Sequence, residues 1–157
     1  MAADRDDVGF LLALASKRWN EILKRRFAAA GFADVRASYG ALLIPLFEED
    51  GLRMTELARR ARLSKQTLTT MARLLERDGL ITRRPDSDDG RAIRIFLTER
   101  AKSFQPIADA VLRELDKQVV RALGKARTTQ LKQSLDALLE LDEPSLRKTR
   151  SDVTAFP

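Results

Sequence analysis

Between Leu80 and Thr98 the chain reads LITRRPDSDDGRAIRIFLT, and this stretch restricts the fold more than any other. Ile93, Ile95 and Leu97 alternate with Arg94 and Phe96, the period-two pattern of a strand with one buried face. Leu80, Ile81, Thr82 and Arg83 read as the partner strand, with a Pro, Asp, Ser and Gly turn between them. The sequence on both sides has helical periodicity. A two-stranded hairpin buries too little apolar surface to stand alone, so one face must pack on the flanking helices while the tip projects into solvent. The expected fold class is therefore mainly α with a small two-stranded β-hairpin.

Directly upstream lies MTELARRARLSKQTLTTMARLLERDGLI, in which Thr55 and Ser64 each stand as a cap before a helix-favouring run. The first, short helix turns Leu57, Ala58 and Ala61 inward, and only Arg62 and Leu63 separate it from the next. In the second, Leu68, Met71 and Leu75 form the inward stripe, leaving Gln66, Thr69, Thr70, Arg73 and Arg77 opposite. That outward stripe carries no acid. Hydroxyls, an amide and arginines are the groups that bond phosphates and base edges. The plain alternative is a solvated face, and the hairpin that follows argues against it. A projecting tip carrying Arg91 suits a DNA minor groove, whose negative potential draws in arginine. Asp89 would hold that arginine in place; in the alternative reading the two are a surface pair that only fixes the turn.

Charge follows the same segment. Of the formal net charge of +6, residues 52–100 carry most, with 12 Lys and Arg against 7 Asp and Glu. The chain has neither Cys nor His, so disulfides, thiolate metal sites and the usual general base near neutral pH are excluded. No Gly-rich phosphate loop or paired-carboxylate motif is present. Neither an enzyme nor a cofactor is expected. The apolar run Val8–Ala15 follows acidic rather than basic residues and merges into a helical pattern, unlike a signal peptide. No stretch approaches the ~18 apolar residues of a membrane span, and a cytoplasmic protein is expected.

Helical stripes also run through both ends of the chain. Val8, Leu11, Leu12, Ala15, Trp19, Ile22, Leu23 and Phe27 define a long helix ending before Gly31. Residues 36–49 read as a second helix, with Pro45 an interior breaker expected to kink it. After Thr98, a cap, another stripe runs from Phe104 to Leu123; about 26 residues at ~1.5 Å each span about 39 Å, more than a small domain covers. A last helix from about Thr128 carries Leu131, Leu135, Leu138 and Leu139. These surplus stripes predict a homodimer joined through both terminal regions. Residues 1–35 and 99–143 form the expected dimerisation region, residues 36–98 the DNA-binding domain, and residues 144–157 a weakly ordered tail. Trp19, Tyr39 and Phe47 are read as core aromatic residues rather than pocket walls.

Asp89-Gly90-Arg91 followed by AIRIFLT resembles the D-x-R hairpin ending in Leu-Thr of the MarR family of transcriptional regulators. Leu57-Ala58, Ser64, Thr69, Leu75, Glu76 and Gly79-Leu80 resemble that family's helix-turn-helix. Thr70 stands where many members have a basic residue, and Ala101 where a Gly is common. The resemblance implies a winged helix-turn-helix dimer on pseudo-palindromic double-stranded DNA. It further implies a repressor released by a small aromatic or phenolic ligand. The candidate DNA-binding residues are Arg62, Ser64, Lys65, Gln66, Thr67, Thr69, Thr70, Arg73, Asp89 and Arg91. The rival expectation is a winged-helix protein-interaction module with no sequence preference among duplexes.

Overall fold

Asp7 opens the first helix by accepting the N–H of Phe10 at 3.1 Å, and α1 then spans Val8–Ala29. The structure is a computed structural model that describes residues 6–141; the tail at 144–157 lies outside the described residues. Gly31, at φ +90°, takes the left-handed turn that ends the helical path. The expected second helix divides into a single 3-10 turn at Ala37–Tyr39 and α2 at Gly40–Glu48, which runs on through Pro45.

α3 covers Met54–Ala61 and α4 covers Lys65–Arg77. Ser64 caps α4 as expected, its hydroxyl accepting the Thr67 N–H at 3.1 Å. Thr55 caps nothing. The residue before α3 is Arg53, whose side chain makes no capping bond. The reason is a strand too short to announce itself: β1, Leu52–Arg53, is extended and feeds straight into Met54.

β2, Ile81–Pro85, and β3, Ile93–Leu97, form the expected hairpin. The sheet is three-stranded rather than two-stranded, because β1 pairs antiparallel with the far edge of β3, giving the order β1-β3-β2. Ile81, Ile95 and Leu97 are buried together with Leu57, Leu68, Ala72 and Leu75 of the two short helices. Ala72 replaces the expected Met71 at the centre of the inward stripe of α4, and Met71 is half-buried. Thr98 then caps α5, accepting the Ala101 N–H at 3.2 Å and donating to the Gly79 carbonyl at 2.6 Å. Ala101 is fully buried.

α5 spans Glu99–Leu123, and Gly124, at φ +80°, separates it from α6, Lys125–Leu139. The chain divides into two compact units, residues 1–113 and 114–157. In the first, Val8, Phe10, Leu11, Leu12 and Leu14 are exposed; in the second, Leu131, Leu135, Leu138 and Leu139 are exposed. No helix among the described residues is long and apolar enough to cross a membrane.

Candidate nucleic-acid interface

Most of the basic residues between 52 and 100 pair with acids of the same chain. Arg53 and Arg94 bind Asp86, Arg59 and Arg60 bind Glu56, Arg77 binds Asp78, Arg83 binds Glu76 and Arg100 binds Asp34. Arg59 and Arg60 together hold the Glu56 carboxyl down at about 2. Of the basic residues between 52 and 100, Lys65, Arg73, Arg84 and Arg91 have no carboxylate partner among the described residues. Two of the four stand on α4 and two in the hairpin, and all four are exposed. These free cations of the segment thus stand on the helix and the wing, where Asp88 and Asp89 lie beside those of the wing.

On α4 the polar side chains differ in what they have left to offer. Thr69 Oγ1 donates to the Lys65 carbonyl at 2.8 Å and Thr70 Oγ1 to the Gln66 carbonyl at 3.1 Å. A phosphate only accepts, so either hydroxyl must leave its helix carbonyl to donate to one. Ser64 is occupied by its cap and donates to Thr67 Oγ1 at 2.8 Å. The hydroxyl proton of Thr67 remains free to point outward. Lys65, Gln66 and Arg73 are exposed and carry the strongest free donors of this face. Arg62 sits in the link itself at φ 53°, ψ 40°, a left-handed conformation that a non-glycine residue adopts at a cost of about 1–2 kcal/mol.

The wing carries a row of arginines. Arg53 of β1 lies opposite Arg94 of β3, and Arg94 lies opposite Arg84 of β2. Like charges directly opposed destabilise a sheet. Asp86 offsets two of them, accepting Arg53 Nε at 2.9 Å and Arg94 Nε at 2.5 Å. It also accepts the N–H groups of Asp88 at 2.8 Å and Asp89 at 3.2 Å. Its carboxylate is inaccessible to solvent, and the backbone donor at Asp88, with the two guanidiniums, holds its pKa below the usual carboxylate range. Arg84 instead lies over the Phe96 ring, 5.2 Å from its centre. Neither Asp86 nor Arg84 stands out as a candidate in the sequence. The run of aspartates signals only a turn, and a strand-pairing register is needed to find the row.

At the tip, Asp89 accepts the backbone N–H of Arg91 at 3.1 Å. It fixes the turn, and the Arg91 guanidinium is left to project without it. Glu76 of α4 and Arg83 of β2 are joined at 2.7 Å, linking helix to wing and lowering the Glu76 pKa.

A cavity of about 230 Å³ lies in the first unit, walled by Trp19, Leu23 and Phe27 of α1, by Arg36, Ala37, Ile44 and Phe47, and by Phe104, Ala108 and Leu112 of α5. Trp19 and Phe47, expected in the core, are half-buried in this wall; Tyr39 is the true core residue of the three. Periodicity distinguishes an inward face from an outward one, not a filled core from a hollow one.

A family model described as MarR family matches residues 39–93, which covers α2 to the start of β3. The HTH-type transcriptional regulator SarZ of Staphylococcus saprophyticus is 30% identical over 125 residues, 77% of this chain and 84% of that protein. The HTH-type transcriptional repressor YetL of Bacillus subtilis is 34% identical over 90 residues, 56% of this chain. That match spans only about half of the YetL chain, 52%. Among solved structures, Staphylococcus aureus MepR in complex with DNA superposes with a TM-score of 0.73 at 23% identity, over 85% of this chain and 96% of that one.

Proposed function

Because the chain belongs to the MarR family of transcriptional regulators, we propose that it is a sequence-specific double-stranded DNA-binding repressor released by a small ligand. The observation that carries the reading is the division of charge. Seven arginines of the central segment are consumed internally, whereas Lys65, Arg73, Arg84 and Arg91 are left for a polyanion. In this reading α4 enters the major groove, where Gln66 and Arg73 reach base edges, and Ser64, Lys65, Thr67, Thr69 and Thr70 line the backbone. Arg62 lies at the edge of the same face. Arg91 enters the minor groove, on a tip whose turn Asp89 sets.

The functional division places DNA binding in residues 36–98 and dimerisation in residues 1–35 and 99–143. The exposed leucines of α6 and the exposed apolar residues of α1 are buried by a second copy, which gives pseudo-palindromic operators. An aromatic or phenolic ligand fits the Trp19, Phe27, Phe47 and Phe104 wall, with Arg36 available to a carboxylate or phenolate. The protein works in the cytoplasm, where its DNA is.

Selection of bound duplexes from a random pool tests the reading. It should return a two-fold symmetric site, with half-site centres about 10 bp apart. Recovery of duplexes without shared sequence would refute it.

A further inference from the structure

Two routes lead from the cavity wall to one residue, Asp78, which ends α4. The first runs along the chain. Arg36, Ala37, Gly40 and Ala41 belong to the wall, and Tyr39, embedded among them in sequence but buried on the other side, donates its hydroxyl to Asp78 Oδ2 at 2.5 Å. The second runs through side chains. The wall residue Phe104 packs against Phe32 at 5.1 Å between centroids, and Phe32 carries the Arg100 guanidinium at 5.7 Å. Arg100 donates to the Asp78 carbonyl at 2.7 Å and holds Asp34 through both carboxylate oxygens, at 2.6 and 2.7 Å.

Asp78 is the C-cap of α4, so both routes end where that helix is anchored. The opposite anchor, Ser64, is a local cap within three residues of its partner. A helix fixed locally at one end and remotely at the other changes direction when the remote fixture shifts. The Tyr39 bond is the narrower of the two routes, a single hydroxyl on a side chain 1% exposed, where breaking the bond leaves a buried donor unmatched.

We propose that Tyr39 is a positioning residue for the DNA-reading helix, coupling the state of the cavity wall to the direction of α4 through Asp78. The inference rests on the DNA-binding reading above and adds the wiring that a ligand in the cavity would use. Coupling between two sites is reciprocal, so DNA seated on α4 must in turn alter the cavity. Trp19, the single tryptophan of the chain, stands in the wall and reports it.

The test is a titration of the full-length protein with its selected duplex, read at once by DNA anisotropy and by Trp19 emission. Wild type should bind and change its emission. Tyr39→Phe keeps the buried ring and deletes the hydroxyl; it should bind the duplex more weakly than wild type and, at saturating duplex, show less than about half of the emission change. Asp78→Ala should do the same, and Asp78→Asn, which retains an acceptor for the tyrosine, should keep most of the response. Wild-type emission changes in both Tyr39→Phe and Asp78→Ala overturn the proposal, as does duplex binding by wild type with no response from Trp19. Absence of duplex binding by wild type would instead refute the DNA-binding reading, and the coupling with it.

Discussion

Asp86 and Arg94 form the tightest charge contact in the wing, Arg94 Nε donating to Asp86 Oδ2 at 2.5 Å with the carboxylate closed to solvent. The same guanidinium donates to the Gly51 carbonyl at 2.7 Å, so one arginine fastens the base of the tip to the loop before β1. Asp86 has a depressed pKa in the folded state. Its contribution is therefore complete above the unfolded carboxyl value of about 4 and is lost as pH falls through the lower folded value. Asp86→Asn should lower the thermal midpoint at neutral pH and flatten its decline between about pH 4 and pH 2. Parallel pH profiles for variant and wild type would contradict the assignment.

Much of this architecture is legible in the sequence because its signals are local. Ser64 sits three residues from the N–H it caps, Thr98 three from its own, and Ile93, Ile95 and Leu97 alternate within a single strand. What stays hidden depends on partners distant along the chain. β1 is two residues long and has no period to detect, so its pairing with Ile95 and Arg94 leaves no mark in the pattern. That omission also misplaces the start of α3 at Thr55. The Asp86 cluster joins positions 53, 86 and 94, and the cavity depends on how far α1, α2 and α5 stand apart. The free and paired arginines look alike in sequence; only the ion pairs separate Arg59 from Arg91.

Gly51 is a second test of the wing base. It holds φ +74°, and a Cβ there would stand 2.8 Å from the Phe96 ring, which also carries Arg84. Gly51→Ala should cost about 1–3 kcal/mol in urea unfolding. A variant as stable as wild type would show that the ring yields freely.

Asp89→Ala removes an acceptor for the Arg91 backbone N–H without removing a cation from the interface. Operator affinity should fall less than for Arg91→Ala, and the dependence on salt should match wild type. A salt dependence weakened as much as that of Arg91→Ala would mean that Asp89 governs the guanidinium itself.

Dimerisation through the terminal helices predicts that a charge on the α6 stripe separates the copies. Leu135, 40% exposed in the single chain, is the site of choice. Leu135→Lys should sediment as one chain at micromolar concentration, where wild type sediments as two, with helix content unchanged by circular dichroism. A dimeric Leu135→Lys protein would move the interface elsewhere.

The claim at the centre of the account is that unpaired cations meet DNA while paired ones serve the fold. Its most direct test is the slope of log affinity against log salt for the selected duplex, measured for Arg91→Ala and, as the paired control, Arg59→Ala, whose guanidinium lies on Glu56 at 2.6 Å. The slope should drop by as much as ~1.8 for Arg91→Ala, because each subunit of a dimer then brings one cation fewer to the phosphates, and should stay at the wild-type value for Arg59→Ala. Equal slopes for Arg91→Ala and wild type, or an equal drop for both variants, would contradict it.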